Sequence, residues 1–84
     1  MPLVKRSFTL QGHRTSLALE PEFWRVIDGE AKRRAQSVAS LISQIDRARD
    51  PDDTLSSTMR IWVVRTLLDN RSTDIAMNSP DNSQ

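Results

Sequence analysis

The chain has 84 residues, with 12 Lys/Arg against 11 Asp/Glu, one histidine and no cysteine. That length makes one small domain whose core is marginal for a lone chain, and without cysteine no disulfide can staple it, so self-association is the expected aid. No cluster of His, Cys or carboxylates has metal-ligand spacing and no glycine-rich phosphate loop is present, so neither a metal nor a cofactor, neither catalytic residues nor an enzyme is expected.

Residues 1–12 are either a basic N-terminal arm or, because Ser7-Phe8-Thr9-Leu10 alternates, an outer strand turned back at Gln11-Gly12. From Arg14 to Leu19 Thr15, Leu17 and Leu19 point one way and Arg14, Ser16 and Ala18 the other. So short a strand cannot pair its own backbone, and no obvious strand follows the helices. It is therefore expected to pair with its copy in a second chain as a two-stranded antiparallel ribbon.

Glu20-Pro21-Glu22 opens a first helix, since proline is tolerated in the first turn and acids suit the positive end of the dipole. Phe23, Val26, Ile27 and Ala31 recur at helical spacing, with Trp24 and Ala35 on the adjoining stripe, and Lys32-Arg33-Arg34 sits at the negative end. Ala35-Gln36 is the turn, and Ser37 is the expected N-cap of a second helix. Val38, Leu41, Ile42, Ile45 and Ala48 give that helix the cleanest amphipathic pattern in the chain, and Asp50-Pro51-Asp52-Asp53 ends it as a polar loop. A third helix is expected from Leu55 or Ser56 to Leu68, with Leu55, Met59, Trp62, Val63 and Leu67 as its apolar stripe and Asp53, Thr54 or Ser56 as its cap. Residues 70–84, rich in Asn, Ser and Asp, read as a disordered tail, which leaves residues 13–69 as the domain.

Residues 1–49 hold nine Lys/Arg and five Asp/Glu, a net of +4, whereas residues 50–84 hold three and six, a net of −3. A dimer would be basic at its ribbon end, which suits a polyanion. A two-stranded ribbon has the width of the DNA major groove, where arginine bonds guanine O6 and N7, serine meets either kind of base edge and alanine touches a thymine methyl. Arg14, Ser16 and Ala18 are the candidate base contacts. The free amides behind Ser37, around Val38, make a candidate phosphate clamp, and Lys5, Arg6, Arg33 and Arg34 are candidate flanking phosphate contacts. No apolar run is long enough to span a membrane and Met1 to Arg6 lacks the apolar core of a signal peptide, so the chain is expected in the cytoplasm, on the nucleoid.

Arg14-Thr15-Ser16-Leu17-Ala18-Leu19, Phe23 through Ala31, and Ser37-Val38-Ala39-Ser40-Leu41-Ile42 together resemble the ribbon-helix-helix family of bacterial repressors, the Arc and MetJ class. The segment Leu19-Glu20-Pro21-Glu22-Phe23-Trp24 resembles one bacterial subgroup most specifically, and the likeness covers roughly residues 7–68. It implies a mainly α fold with a short β-ribbon and an additional third helix, an intertwined homodimer, and a sequence-specific transcriptional regulator that inserts its ribbon into the major groove. By that resemblance base contact falls to Arg14, Ser16 and Ala18 and phosphate contact to Ser37 and Val38. A dimer core of Leu17, Leu19, Phe23, Trp24, Ile27, Leu41, Ile42 and Ile45 follows from the same reading. The usual glycine before the second helix is Ala35 here. If residues 5–10 form an outer strand, a dimer paired through the strand at 14–19 carries four strands. Three spacings of ~4.8 Å plus side chains overfill a groove ~12 Å wide. The alternative is then a dimeric protein-interaction module of the same fold, or an antitoxin-like protein with an unidentified partner, that reads no DNA.

Overall fold

Gln11 and Gly12 both take positive φ, 52° and 83°. Two consecutive residues of that kind make the turn whose twist matches a two-residue hairpin. In the computed structural model, which describes the backbone of residues 2–78 and the side chains of residues 2–70, that turn joins β1 (Val4–Leu10) to β2 (His13–Leu19). The strands pair antiparallel along their whole length, from Val4 opposite Leu19 to Leu10 opposite His13. The expectation that the strand at 14–19 lacks a mate in its own chain is therefore overturned. Residues 4–10 supply that mate, and of the two readings of the N-terminal segment the strand is the one found.

Three helices follow: α1 (Pro21–Arg33), α2 (Val38–Arg47) and α3 (Leu55–Asn78). Pro21 starts α1 behind an extended Glu20, and Lys32 and Arg33 lie in its last turn. Its end is a Schellman closure: Gln36 N–H donates to Ala31 O at 3.0 Å, Ala35 N–H donates to Lys32 O at 3.1 Å, and Ala35 sits at φ 55°. Ser37 caps α2 as expected, its hydroxyl accepting from Ser40 N–H at 3.0 Å. Thr54, one of the three candidates, caps α3 by accepting from Ser57 N–H at 3.1 Å. The third helix runs past its expected end at Leu68 through Asn78. The part of the tail expectation that concerns residues 79–84 lies outside the described residues.

One face of the hairpin lies on the helices, with α2 against β1 and α3 against β2. The buried core is Leu10, Leu17, Leu19, Trp24, Ile27, Ala31, Leu41, Ile42, Met59 and Val63. Six of the residues expected in a dimer core are thus buried within one chain, whereas Phe23 and Ile45 are only partly covered. Leu67, expected on the inner stripe of α3, is 48% exposed instead. At about 100° per residue Leu67 falls beside Arg60, at the margin of the inward row of Leu55, Met59, Trp62 and Val63 and roughly 95° from its middle.

Candidate nucleic-acid interface

The strand register sorts the hairpin's side chains into two faces. Residues directly opposite share a face, so Val4, Arg6, Phe8 and Leu10 make the inner face with His13, Thr15, Leu17 and Leu19, of which Val4 and His13 remain exposed. Lys5, Ser7, Thr9, Arg14, Ser16 and Ala18 make the outer face. Sequence reasoning had found Arg14, Ser16 and Ala18 there. It missed Ser7 and Thr9 and set Lys5 on a flank, because no partner strand was assigned. Period-two alternation from Lys5 was the available signal.

The turn also fixes which backbone groups are spoken for. A two-residue hairpin closes on a hydrogen-bonded pair, Leu10 with His13, so Thr9–Arg14, Ser7–Ser16 and Lys5–Ala18 are the non-hydrogen-bonded pairs. Side chains approach most closely in such pairs. Ser7 Oγ lies 3.1 Å from Ser16 Oγ, and Arg14 Nη1 donates to Thr9 Oγ1 at 3.4 Å. The N–H and C=O groups of those six residues point off the two edges of the ribbon, ready for another polar surface.

The cations divide into two groups. Arg6 is turned inward, where its guanidinium gives two bonds to Asp28, at 2.8 and 2.9 Å, and lies 4.4 Å from the centre of the Trp24 ring. Trp24 in turn donates its indole N–H to Val4 O at 2.8 Å, which ties β1 to α1. Hydrogen bonding from Arg6 holds the Asp28 carboxyl below its ordinary range. Arg33 grips Glu30, a carboxylate only 5% exposed, with its closest contact at 2.6 Å, and Arg34 approaches the same carboxylate at 3.7 Å. Bonding from Arg33 lowers the Glu30 pKa. Three of the four cations expected on the flanks are thus engaged with carboxylates of their own chain. Lys5 and Arg14, by contrast, are exposed and form no ion pair among the described residues, and their ribbon face contains no acid.

The second helix, α2, begins at Val38, with only Ser40 N–H of its first turn taken by the Ser37 hydroxyl. The described residues hold no group of three metal-ligating side chains and no helix long and apolar enough to cross a membrane. What remains is a fully paired two-stranded ribbon with a cationic, hydroxyl-bearing face, followed by helices, and the ribbon-helix-helix domain matches it over residues 3–67. The chain belongs to the ribbon-helix-helix family. That family consists generally of non-enzymatic DNA-binding transcription regulators or antitoxins, and it typically forms dimers. No curated protein and no solved structure gives a significant match to the chain.

Proposed function

We propose that this ribbon-helix-helix protein is a sequence-specific DNA-binding transcriptional regulator that reads the major groove with a ribbon made entirely within one chain. The observation that carries the reading is the outer face of the hairpin, where Lys5 and Arg14 stand exposed beside Ser7, Thr9, Ser16 and Ala18, with no ion pair among the described residues. Two strands fit a groove ~12 Å wide as one ribbon. Arg14 offers the bidentate geometry guanine needs, Ser7, Thr9 and Ser16 offer hydroxyls, Ala18 offers a methyl, and Lys5 reaches phosphate. The amides after Ser37, at Val38, clamp a flanking phosphate. Arg6 and Arg33 take no part in this interface, because their carboxylate partners already hold them, and Arg34, 3.7 Å from Glu30, has its guanidinium over the Trp62 ring of α3.

A homodimer in the cytoplasm, acting as a repressor on the nucleoid, completes the proposal. Besides the outer edge of β1, two surfaces are open to a second copy. One is the free edge of β2; the other is the exposed row Ile61, Val64 and Leu68 on α3, spaced i, i+3 and i+7. Pairing through α3 leaves each hairpin two strands wide and able to enter a groove. Pairing through β2 builds a four-stranded sheet that overfills it, and that arrangement would make the protein an interaction module instead.

A gel shift against genomic fragments, including the protein's own upstream region, at two salt concentrations tests the reading. Arg14→Ala should weaken the cognate complex by ~1–3 kcal/mol with the fold intact. Lys5→Ala should weaken all complexes alike and flatten the salt dependence by about one unit. A well-folded Arg14→Ala protein that binds as the parent does, or a parent that binds no duplex at low salt, refutes the DNA-reading face.

A further inference from the structure

A groove of 310 Å³ opens between α2 and α3, beside the turn that ends α1. Leu41, Ile45 and Trp62 give it an apolar floor, and Arg34 and Arg65 stand among its walls with no carboxylate in the lining. The Arg34 guanidinium lies 5.4 Å from the centre of the Trp62 ring. Its nearest carboxylate oxygen is Glu30 Oε1 at 3.7 Å, and Arg33 already holds that oxygen at 2.6 Å. Arg65 is exposed and has no ion pair among the described residues. Gln44, which also lines the groove, accepts from Gln36 through its carbonyl oxygen at 3.4 Å.

We propose that this groove binds a small organic monoanion, a carboxylate carried on a short aliphatic or aromatic body. The volume stands at the lower end of the ~300–1,000 Å³ range of small-ligand pockets. An apolar floor desolvates the body, and two arginines take the carboxylate: Arg65, without an ion pair among the described residues, and Arg34, which only loosely shares Glu30 with Arg33 and is braced on an aromatic face. An inorganic anion would leave the floor unused, and a neutral apolar molecule would leave the arginines unused. This site is separate from the hairpin face and does not depend on DNA binding.

The two indole N–H signals of the full chain, observed by nitrogen–proton correlation spectroscopy, report on it directly. Titration with sodium octanoate, and separately with sodium benzoate, should move the Trp62 signal along a saturating curve. The Trp24 signal should stay in place, because that indole is buried and bonded to Val4 O. Octanol should bind more weakly than octanoate by about tenfold or more, and Arg65→Gln or Arg34→Gln should each weaken octanoate by about tenfold, the size of one charge-assisted hydrogen bond. The proposal is overturned if neither carboxylate gives a saturating shift, or if octanol binds as well as octanoate. It is equally overturned if both folded arginine variants bind as the parent does, or if dilution of the protein alone moves Trp62, which would show that a second copy covers the groove.

Discussion

Ala35 and Gly29 stand in each other's natural places, and exchanging them separately tests the backbone account of the α1–α2 corner. Ala35 is held at φ 55° by the two closing bonds of α1, a position that costs a residue with a Cβ about 1–2 kcal/mol. Ala35→Gly removes that strain but frees the unfolded chain by about 0.4–1 kcal/mol. The Ala35 side chain is exposed, so no burial is lost, and the difference leaves a net gain of about 0.5–1 kcal/mol. At about 4–8 °C per kcal/mol for a domain of this size, the melting temperature should rise by about 2–8 °C. Gly29 lies inside α1, is exposed, and a Cβ built there meets nothing within 4 Å, so Gly29→Ala should stabilise by a similar amount. The two sites are far enough apart in contacts for the gains to be close to additive. Circular dichroism melts of both single variants and the double variant provide the assay. A melting temperature for Ala35→Gly equal to or below that of the parent refutes the strain argument, and Gly29→Ala, which tests helix propensity alone, shows whether the assay resolves such changes.

Other outcomes follow from the packing and charges. Ile42→Ala removes a fully buried side chain and should cost about 2–5 kcal/mol in chemical denaturation, whether or not the chain is dimeric, because the cavity opens inside one chain. Asp28 and Glu30 have folded pKa values below their ordinary ones, so their contribution to stability is fully present above the carboxylate range and is lost as pH falls through and below it. Asp28→Asn should therefore flatten the acid limb of a stability-against-pH curve, and an unchanged acid limb counts against the Arg6–Asp28 pair. Ile61→Ser combined with Leu68→Ser should lower the light-scattering mass of the protein if α3 is its seam, with the melting curve of the single chain preserved; an unchanged mass removes α3 from the assembly.

Much of this architecture could be read from the residues because its signals were local. Pro21 behind Glu20 marked the start of α1, Ser37 marked the start of α2, and the i, i+3, i+4 spacing of Val38, Leu41 and Ile42 marked the inward face. Alternation from Arg14 to Ala18 identified half of the candidate interface. The other half was hidden by the turn. A hairpin of this type favours Asn-Gly or Asp-Gly, whereas here Gln11 takes the left-handed position, so β1 gave only a weak sign of folding back. Arg6 misled for a related reason. A charge in an amphipathic strand reads as solvent-facing, yet the Trp24 ring and Asp28, eighteen and twenty-two residues away, let it turn inward. The extent of α3 was hard to see because it has apolar residues on opposite sides, with Met59 and Val63 inward and Ile61, Val64 and Leu68 outward, which blurs the helical period.

The hairpin turn at Gln11-Gly12 changes how this fold responds to dilution. When a ribbon is shared between chains, strand pairing is a second-order event, and the folded fraction falls with copy number. Here the mate of β2 is tethered two residues away, so strand pairing is first order and proceeds on the microsecond scale of hairpin formation. Both strands leave the ribosome before any helix, and the core they cover is completed by the same chain. A chain at low copy number would therefore still pair its own ribbon, with no second copy needed to complete that ladder.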